Sequence, residues 1–365
     1  MFNRLKKLLT PKSEEAAPAG DDASDVLVNA YCTVATLPVI DFPHTINNSR
    51  DSSDPALAQH LDGFIGYVRS RGDGQMTRTR YHVIRHIQRV RQHVSLSFAQ
   101  SQFDAFARWA GAANAIAFLV DGSLRDPQGR MLLAANGESA PDAEVPYPPA
   151  AWERKARIDA LIAEKGIKVP RHLPPLVSEP ELHLRTAAEV AGRALALLVV
   201  AVRAETLVNE ENAISGSELR GRTPLAFDYL TPKEEAFFAQ EAPPENEAVQ
   251  FAWRYECLAV LEWALGLVDP LPFPVDICDV PLTVRTLLDA DAAELLRHAA
   301  LRPASEILDA LDLHYRLHWA VRQAQVTESA PPAGLEGGVI QERHYALNWL
   351  VRFEEAHWDE VDTPT

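Results

Sequence analysis

The sequence predicts an α+β protein in two parts, a small N-terminal α+β domain followed by an all-α helical bundle, and three observations carry that prediction. Runs with period-two alternation, the signature of a sheet with two faces, are confined to roughly the first third of the chain. Beyond residue 151 the apolar residues recur at helical spacing, with almost no strand signal. Between these regions, Asn136 to Ala151 is rich in Pro, Gly and small residues, the composition of a linker. The expected organisation is therefore a lead-in over 1–25, a small α+β domain over 26–135, a linker over 136–151 and an all-α domain over 152–360.

Taken in order, Met1 to Leu9 is basic and amphipathic but has no continuous apolar region or small-residue cleavage site. It reads as a frayed helix rather than a secretory signal or a membrane-surface anchor. Residues 11–25 contain no large apolar side chain and read as a disordered lead-in. Val26 to Leu37 reads as a first strand. Pro55 to Arg69, with Leu57, Leu61, Phe64, Ile65 and Val68 on a helical repeat, reads as a helix. A turn at Gly72-Asp73-Gly74 leads into a helix over Thr77 to His93. The switch to period two at Val94, Leu96 and Phe98 marks a strand. A helix over Gln102 to Ala113 precedes Ile116 to Val120, a turn at Asp121-Gly122 and a returning strand around Met131 to Leu133.

The second part reads as helices throughout. Trp152 to Lys165 closes at Gly166, where a helix takes a left-handed glycine. Ser178-Glu-Pro-Glu181 is a capping-box pattern that predicts a long helix running to about Val208, and Thr231-Pro-Lys-Glu234 is another, with Pro at the first helical position. Further helices are expected at Glu247 to Leu267, Val280 to Leu288, Ala292 to Ala300, Pro303 to Val326 and Val339 to Phe353. No internal repeat of solenoid type is present.

Composition narrows the function by exclusion. With 365 residues, 47% of them apolar, the chain can bury a large core without disulfides or metals. Residues 1–150 carry 15 Lys and Arg against 16 Asp and Glu, whereas residues 151–365 carry 20 against 35, a net charge of −15. Such a surface repels phosphate backbones, so nucleic acid is a poor partner for the second part. Cys32, Cys257 and Cys278 are odd in number and have no CxxC spacing, which indicates neither a disulfide framework nor a thiolate zinc site and fits a reducing cytoplasm. The longest apolar run, Ala194 to Val202, is closed by Arg193 and Arg203 and is too short to span a membrane.

The runs Leu182-His-Leu-Arg-Thr-Ala-Ala-Glu189, Phe251-Ala-Trp-Arg-Tyr-Glu256, Cys278-Asp-Val-Pro281, Arg302 to Asp312, Tyr315-Arg-Leu-His-Trp-Ala-Val-Arg322 and Glu342-Arg-His-Tyr-Ala-Leu-Asn-Trp349 together resemble a bacterial family known only as domain of unknown function 4272. The resemblance covers roughly residues 150–360, and the N-terminal part is similar to the extension of longer members. It implies a helical domain and brings no activity, cofactor or binding residue with it.

Four constellations could carry chemistry. His314 and His318 stand at i and i+4 on one helical face, and Glu342 and His344 lie on the next helix, a set able to ligate zinc or iron. The competing reading is a core stripe of Ile307, Leu311, His314, His318 and Val321, and the HExxH pattern with its built-in base is absent. Glu306, Asp309 and Asp312 stand three apart, a possible acid–base pairing. Asp312 before Arg316 has the order of a helical ion pair, the commoner use of such spacing.

Glu247 to Leu267 is apolar nearly all round, so Arg254, Glu256 and Glu262 cannot all reach water and should meet opposite charges, with Arg302, Arg316, Arg322 and Arg343 as the candidate cations. Arg78, Arg80, Arg85, Arg89 and Arg91 with His82, His86 and His93 form a local cluster of five guanidiniums without an acid. It could bind an anion, or it could be a solvated face or one docked on acidic surface. Asp279 reads as an N-cap beside Cys278, and Cys257 falls in a buried helix as an inert thiol. No Gly-rich phosphate loop, GxSxG elbow or dinucleotide fingerprint occurs.

The residues therefore favour a cytoplasmic, non-enzymatic binding or protein-interaction module with a possible protein partner and no cofactor. Its candidate polar cluster is Arg254, Glu256, Glu306, Asp309, Asp312, Arg316, His318, Arg322, Glu342 and Arg343. The alternative is a metal-dependent helical hydrolase using His314, His318, Glu342 and His344, and a third reading binds phosphate or nucleic acid through Arg78, Arg80, Arg85 and Arg89.

Overall fold

A computed structural model describes residues 25–209 and 213–365. The amphipathic start and nearly all of the expected lead-in lie outside them. The chain divides into two compact units between Pro148 and Pro149.

The first unit is built on one antiparallel sheet of order β2-β3-β1-β4-β5-β6, from β1 (Asp25–Cys32), β2 (Thr45–Asp51), β3 (Gln92–Ala99), β4 (Ala115–Leu119), β5 (Leu124–Arg125) and β6 (Met131–Leu133). Period two sorts its side chains. Val28, Ala30 and Cys32 of β1 with Val94, Leu96 and Phe98 of β3 bury against Phe106 and Trp109 of a helix over Phe103–Ala112. Tyr31, Ile116 and Leu124 point to the other face, where α1 (Pro55–Arg69) and α2 (Arg78–Gln88) lay down Phe64, Val68, Val83, Ile84 and Ile87. Asp54 and Thr77 cap these two helices by accepting from the amides of Ala56 and Arg80. The helix over Phe103–Ala112 is α3.

One strand expectation is corrected, and one strand is an element the sequence did not announce. β1 ends at Cys32 rather than Leu37, and β2 carries no apolar alternation at all. Its sequence, Thr-Ile-Asn-Asn-Ser-Arg-Asp, lies along the sheet edge almost wholly exposed and pairs with β3 across a bulge at Ile46/Asn48. An exposed edge buries neither face, so hydrophobic period cannot announce it.

The second unit consists of α4 (Pro149–Glu164), α5 (Ala187–Val208), α6 (Gly216–Arg222), α7 (Pro232–Ala239), α8 (Glu245–Ala252), α9 (Arg254–Ala264), α10 (Val280–Leu288), α11 (Ala292–His298), α12 (Ala304–Val326) and α13 (Gly337–Leu350). The class is thus α+β followed by a helical domain. At its centre α5 is buried from Val190 to Ala201, and Leu195, Leu198 and Val199 share one core with Leu258 and Leu261 of α9, Ile307 and Leu311 of α12 and Leu347 of α13.

The helix ends obey local chemistry. Gly166 takes φ +75° after α4 and the Ile167 amide donates back to Ile162 O at 3.0 Å. Thr231 and Glu234 form the expected capping box of α7, and Asp279 caps α10. The box at Ser178 and Glu181 exists but opens only a 3-10 turn, Glu179–Glu181, because Leu182 is extended. The long helix starts later, at Ala187, under a second box made by Thr186 and Glu189. The expected helix Glu247 to Leu267 is two helices interrupted at Trp253, and it ends before Gly266, φ +71°, with the Leu267 amide donating to Glu262 O.

Candidate functional site

The polar cluster of the second unit does not converge on one point; the helices distribute it into separate ion-pair nodes. On α9 and α13, Arg343 Nε donates to Glu256 Oε2 at 2.9 Å and its Nη1 to Pro272 O at 2.6 Å, while the Cys278 amide donates to Glu256 Oε1. On α12, Arg316 is fully buried, donates to Asp312 at 2.9 Å and lies 3.3 Å from Asp159 of α4. Burial pushes the Asp312 carboxyl up although Arg316 pulls it down. Asp309 accepts from Arg154 and Arg157, and Glu306 from Arg302, which also donates to Trp263 O and Val268 O. Arg322 is exposed and joins no ion pair among the described residues.

Two expectations need correction here. Arg302 does not serve the centre of α9 but ties off its C-terminal carbonyls, among them Trp263 O. Glu262 is wholly buried and neither of its oxygens has a hydrogen-bond partner, so burial pushes its carboxyl up to about 8 and it is a neutral acid at physiological pH. Protonation, not a countercharge, resolves its burial.

His314, His318 and His344 are buried. His314 Nδ1 lies 2.8 Å from Ala310 O, and His318 Nδ1 is 3.0 Å from His344 Nδ1, one ring donating to the other. Burial brings His314 and His318 down to about 4 and holds His344 well below its ordinary value, so all three are neutral near pH 7. Glu342 does not join them: two residues before His344 on α13, it faces α9 and accepts from Arg254 Nη1 at 2.8 Å. Among the described residues no group of three His, Cys, Asp or Glu side chains is arranged to hold a metal ion. The Cys257 thiol donates to Glu342 at 3.2 Å, and burial raises both it and Cys278, the latter to about 12, so neither is an activated nucleophile.

The Arg254–Glu342 node opens onto a cleft. The cleft, of about 320 Å³, lies between α7, α8, α9, α13 and the segment at Trp358. Its floor is Arg254, whose guanidinium sits 4.5 Å over the Tyr345 ring and 5.9 Å from that of Trp358. Burial works against the charge of Arg254, but Cys257, Glu342 and Tyr345 outweigh it and hold its pKa above the ordinary guanidinium value. Tyr345 OH donates to Trp358 O, which fixes the C-terminal segment against α13. Glu234 also lines it, only 1% exposed, with Oε2 taken by Arg193 Nη2 at 2.5 Å and by the Thr231 amide, and with Oε1 buried and without a partner. Sequence reasoning reached Arg254 and Glu342 but not Glu234, Phe251, Tyr345 or Trp358. The overlooked signal is a Trp-Asp pair, Trp358-Asp359, placed in a short tail after the last helix, where a large aromatic has no reason to be unless it is buried.

In the first unit the arginines of α2 do not form one face. Arg80 is buried and donates to the carbonyls of Gln75 and Arg71, Arg85 donates to Gln88, and Arg89 sits 4.4 Å over the Tyr147 ring. Arg78 is exposed. His86 Nε2 lies 3.0 Å from Tyr31 O, and burial lowers His86 to about 3.

Fold and site together define a helical domain with an ion-paired interior and a polar–aromatic cleft, preceded by an α+β extension. Residues 154–361 match the family described as Domain of unknown function (DUF4272), and the chain belongs to that family. No curated protein and no solved structure matches the chain. Among the described residues no helix is long and apolar enough to cross a membrane.

Proposed function

We propose that this chain is a cytoplasmic, non-enzymatic binding module whose helical domain uses its buried ion pairs as framework and its cleft as the ligand site. The observation that supports this reading is the pairing itself: of the buried arginines of the helical unit, 154, 193, 316 and 343 each meet a carboxylate and Arg203 meets the Gln240 carbonyl, and the thiols and histidines beside them are held in unreactive protonation states. A catalytic constellation needs titratable groups with their environments split and a reacting atom within reach of both. Here most of the acids and bases are committed to one another as ion pairs. The acidic balance of residues 151–365 disfavours a polyanionic partner.

The alternative, a metal-dependent hydrolase, loses its carboxylate because Glu342 is committed to Arg254. A thermal-shift titration separates the two readings. Metal-stripped chain should keep its Tm when Zn²⁺ or Mn²⁺ is added, and polar small molecules that raise Tm in the wild type should fail to do so in Gln250→Trp, which plugs the cleft from its exposed rim. A saturable rise with metal that His318→Ala abolishes would overturn the binding reading.

A further inference from the structure

We infer that Arg50, His60 and His93 form a binding site in the first unit for a small tetrahedral oxoanion of the phosphate and sulfate class. The strands bring the set together. Tyr31 of β1, His93 of β3 and Arg50 of β2 are register partners across three neighbouring strands, so their side chains leave the same face of the sheet. On that face the core of Tyr31, Phe64, Val68 and Ile116 gives way to polar residues towards the edge, His93 and Ser95 on β3, then Asn48 and Arg50 on β2. His60, from α1, packs over them, its ring 4.6 Å from that of His93 and stacked 5.7 Å from that of Tyr31.

Hydrogen bonds fix where the protons sit. Tyr31 is 2% exposed, burial keeps its phenol protonated, and its hydroxyl lies 2.9 Å from His60 Nε2. A buried hydroxyl proton needs an acceptor, so the phenol donates to Nε2 and the His60 proton stands on Nδ1, which bonds no described residue. His93 Nε2 donates to Asn29 Oδ1 at 3.2 Å, which leaves its Nδ1 a buried acceptor without a donor. Burial lowers both imidazoles, His93 to about 3, and the Arg50 charge lowers them further.

Arg50 is 26% exposed, and the carboxylate nearest to it leaves it largely unspent: Asp54 Oδ2 stands 3.8 Å from Nε, beyond hydrogen-bond distance, and Oδ1 accepts from the Ala56 amide. The cluster thus offers a guanidinium, an imidazole N–H and a second imidazole able to take a proton. An anion among them offsets the repulsion that keeps both rings neutral, so its binding should draw in a proton. Donors from a strand and a helix, in place of a single fork, suit an ion with oxygens in several directions, whereas a carboxylate offers two in one plane.

The test titrates the full chain calorimetrically, at constant ionic strength, with inorganic phosphate, sulfate and acetate. Phosphate and sulfate should bind saturably and about tenfold more tightly than acetate. Arg50→Gln and His60→Gln should each cost about tenfold at an unchanged unliganded Tm, and Arg78→Gln, an exposed arginine of α2, should cost nothing. Sulfate does not titrate near neutral pH and so reads the proton: its affinity should rise about threefold or more from pH 7.5 to 5.5, and His60→Gln should abolish the rise. In the wild type, where no substitution disturbs the fold, the ring-proton NMR signals of His60 and His93 should shift as sulfate is added. The inference is overturned if neither tetrahedral ion binds, if acetate binds as well, if affinity survives Arg50→Gln, if it is the same at both pH values, or if saturating sulfate leaves those two signals in place.

Discussion

Arg343 and Glu256 meet in the interior of the helical unit, Nε to Oε2 at 2.9 Å, with side chains 1% and 3% exposed. They join α13 to α9, and each also satisfies a backbone group of the loop before α10, Pro272 O and the Cys278 amide. Such a pair contributes little beyond what well-packed apolar residues would give, but breaking it leaves a buried charge uncompensated. Glu256→Gln keeps the acceptor for Cys278 and strands the guanidinium, so urea denaturation should show a loss of about 3–5 kcal/mol. Adding Arg343→Met removes the stranded charge and leaves only neutral groups unmet, Pro272 O and the new side-chain amide N–H groups, at about 1–3 kcal/mol each and less than an uncompensated buried charge. The double variant should therefore be the more stable of the two, and a single variant within about 1 kcal/mol of wild type would contradict a structural role for the pair.

Glu262 has the opposite history, a buried acid with no partner. Its folded pKa, about 8, stands above the unfolded one, so the folded state holds the proton longer. Its contribution is complete below the unfolded value and is lost as pH rises through the folded one. Between pH 5 and 8 that loss is of order 4 kcal/mol, and Glu262→Gln should remove it. The variant should gain on wild type as pH rises and match or trail it near pH 5, measured as the midpoint of urea unfolding at each pH.

The buried histidines act at the other end of the scale. The folded pKa of His314, about 4, lies below its ordinary value, because burial disfavours the charged ring more than its bond to Ala310 O restores. The unfolded chain then binds the proton first, and stability falls as pH drops from about 6.5 towards 4. Each such ring removes of order 3 kcal/mol over that range. His314→Gln should lower the slope of unfolding free energy against pH, between 4.5 and 6, by about 1.4 kcal/mol per pH unit. An unchanged slope would mean that this ring is charged in the folded chain.

What the residues declared in advance, and what they did not, follows from which forces are local. Caps are local, so Thr231, Glu234, Asp279 and Gly166 were readable as helix boundaries and stand at them. The capping box at Ser178 misled because its two hydrogen bonds close within four residues and say nothing about the next turn; the backbone at Leu182 leaves the helix, and the Arg185 amide donates to Leu350 O instead. That Arg254, Glu256 and Glu262 cannot all reach water followed from the apolar periphery of their helices, and it is the two acids that are buried. Their partners did not follow, because an ion pair between α9 and α13 depends on tertiary register that spacing along one helix cannot supply. For the same reason Glu342, two residues from His344, points to another helix altogether.

The centre of the bundle also rests on an absence of volume. Gly192, on α5, lies against the ring of Tyr229, and a methyl group built there would stand 2.3 Å from Cδ1 and Cε1. No real side chain is accommodated at that distance, so the turn that bears Tyr229, Pro224–Tyr229, must move off α5 or the ring must swing out. Gly192 is not required by its backbone, which is helical, and alanine is the better helix former by about 1 kcal/mol. Gly192→Ala therefore pits a propensity gain against overpacking of roughly 1–3 kcal/mol, and overpacking should win. In Tyr229→Ala, a partly exposed position, the clash is gone, so adding Gly192→Ala to that background should be neutral or stabilising. Guanidinium denaturation of the four chains of this cycle reads the coupling directly. Equal effects of Gly192→Ala in both backgrounds would show that the ring does not press on α5.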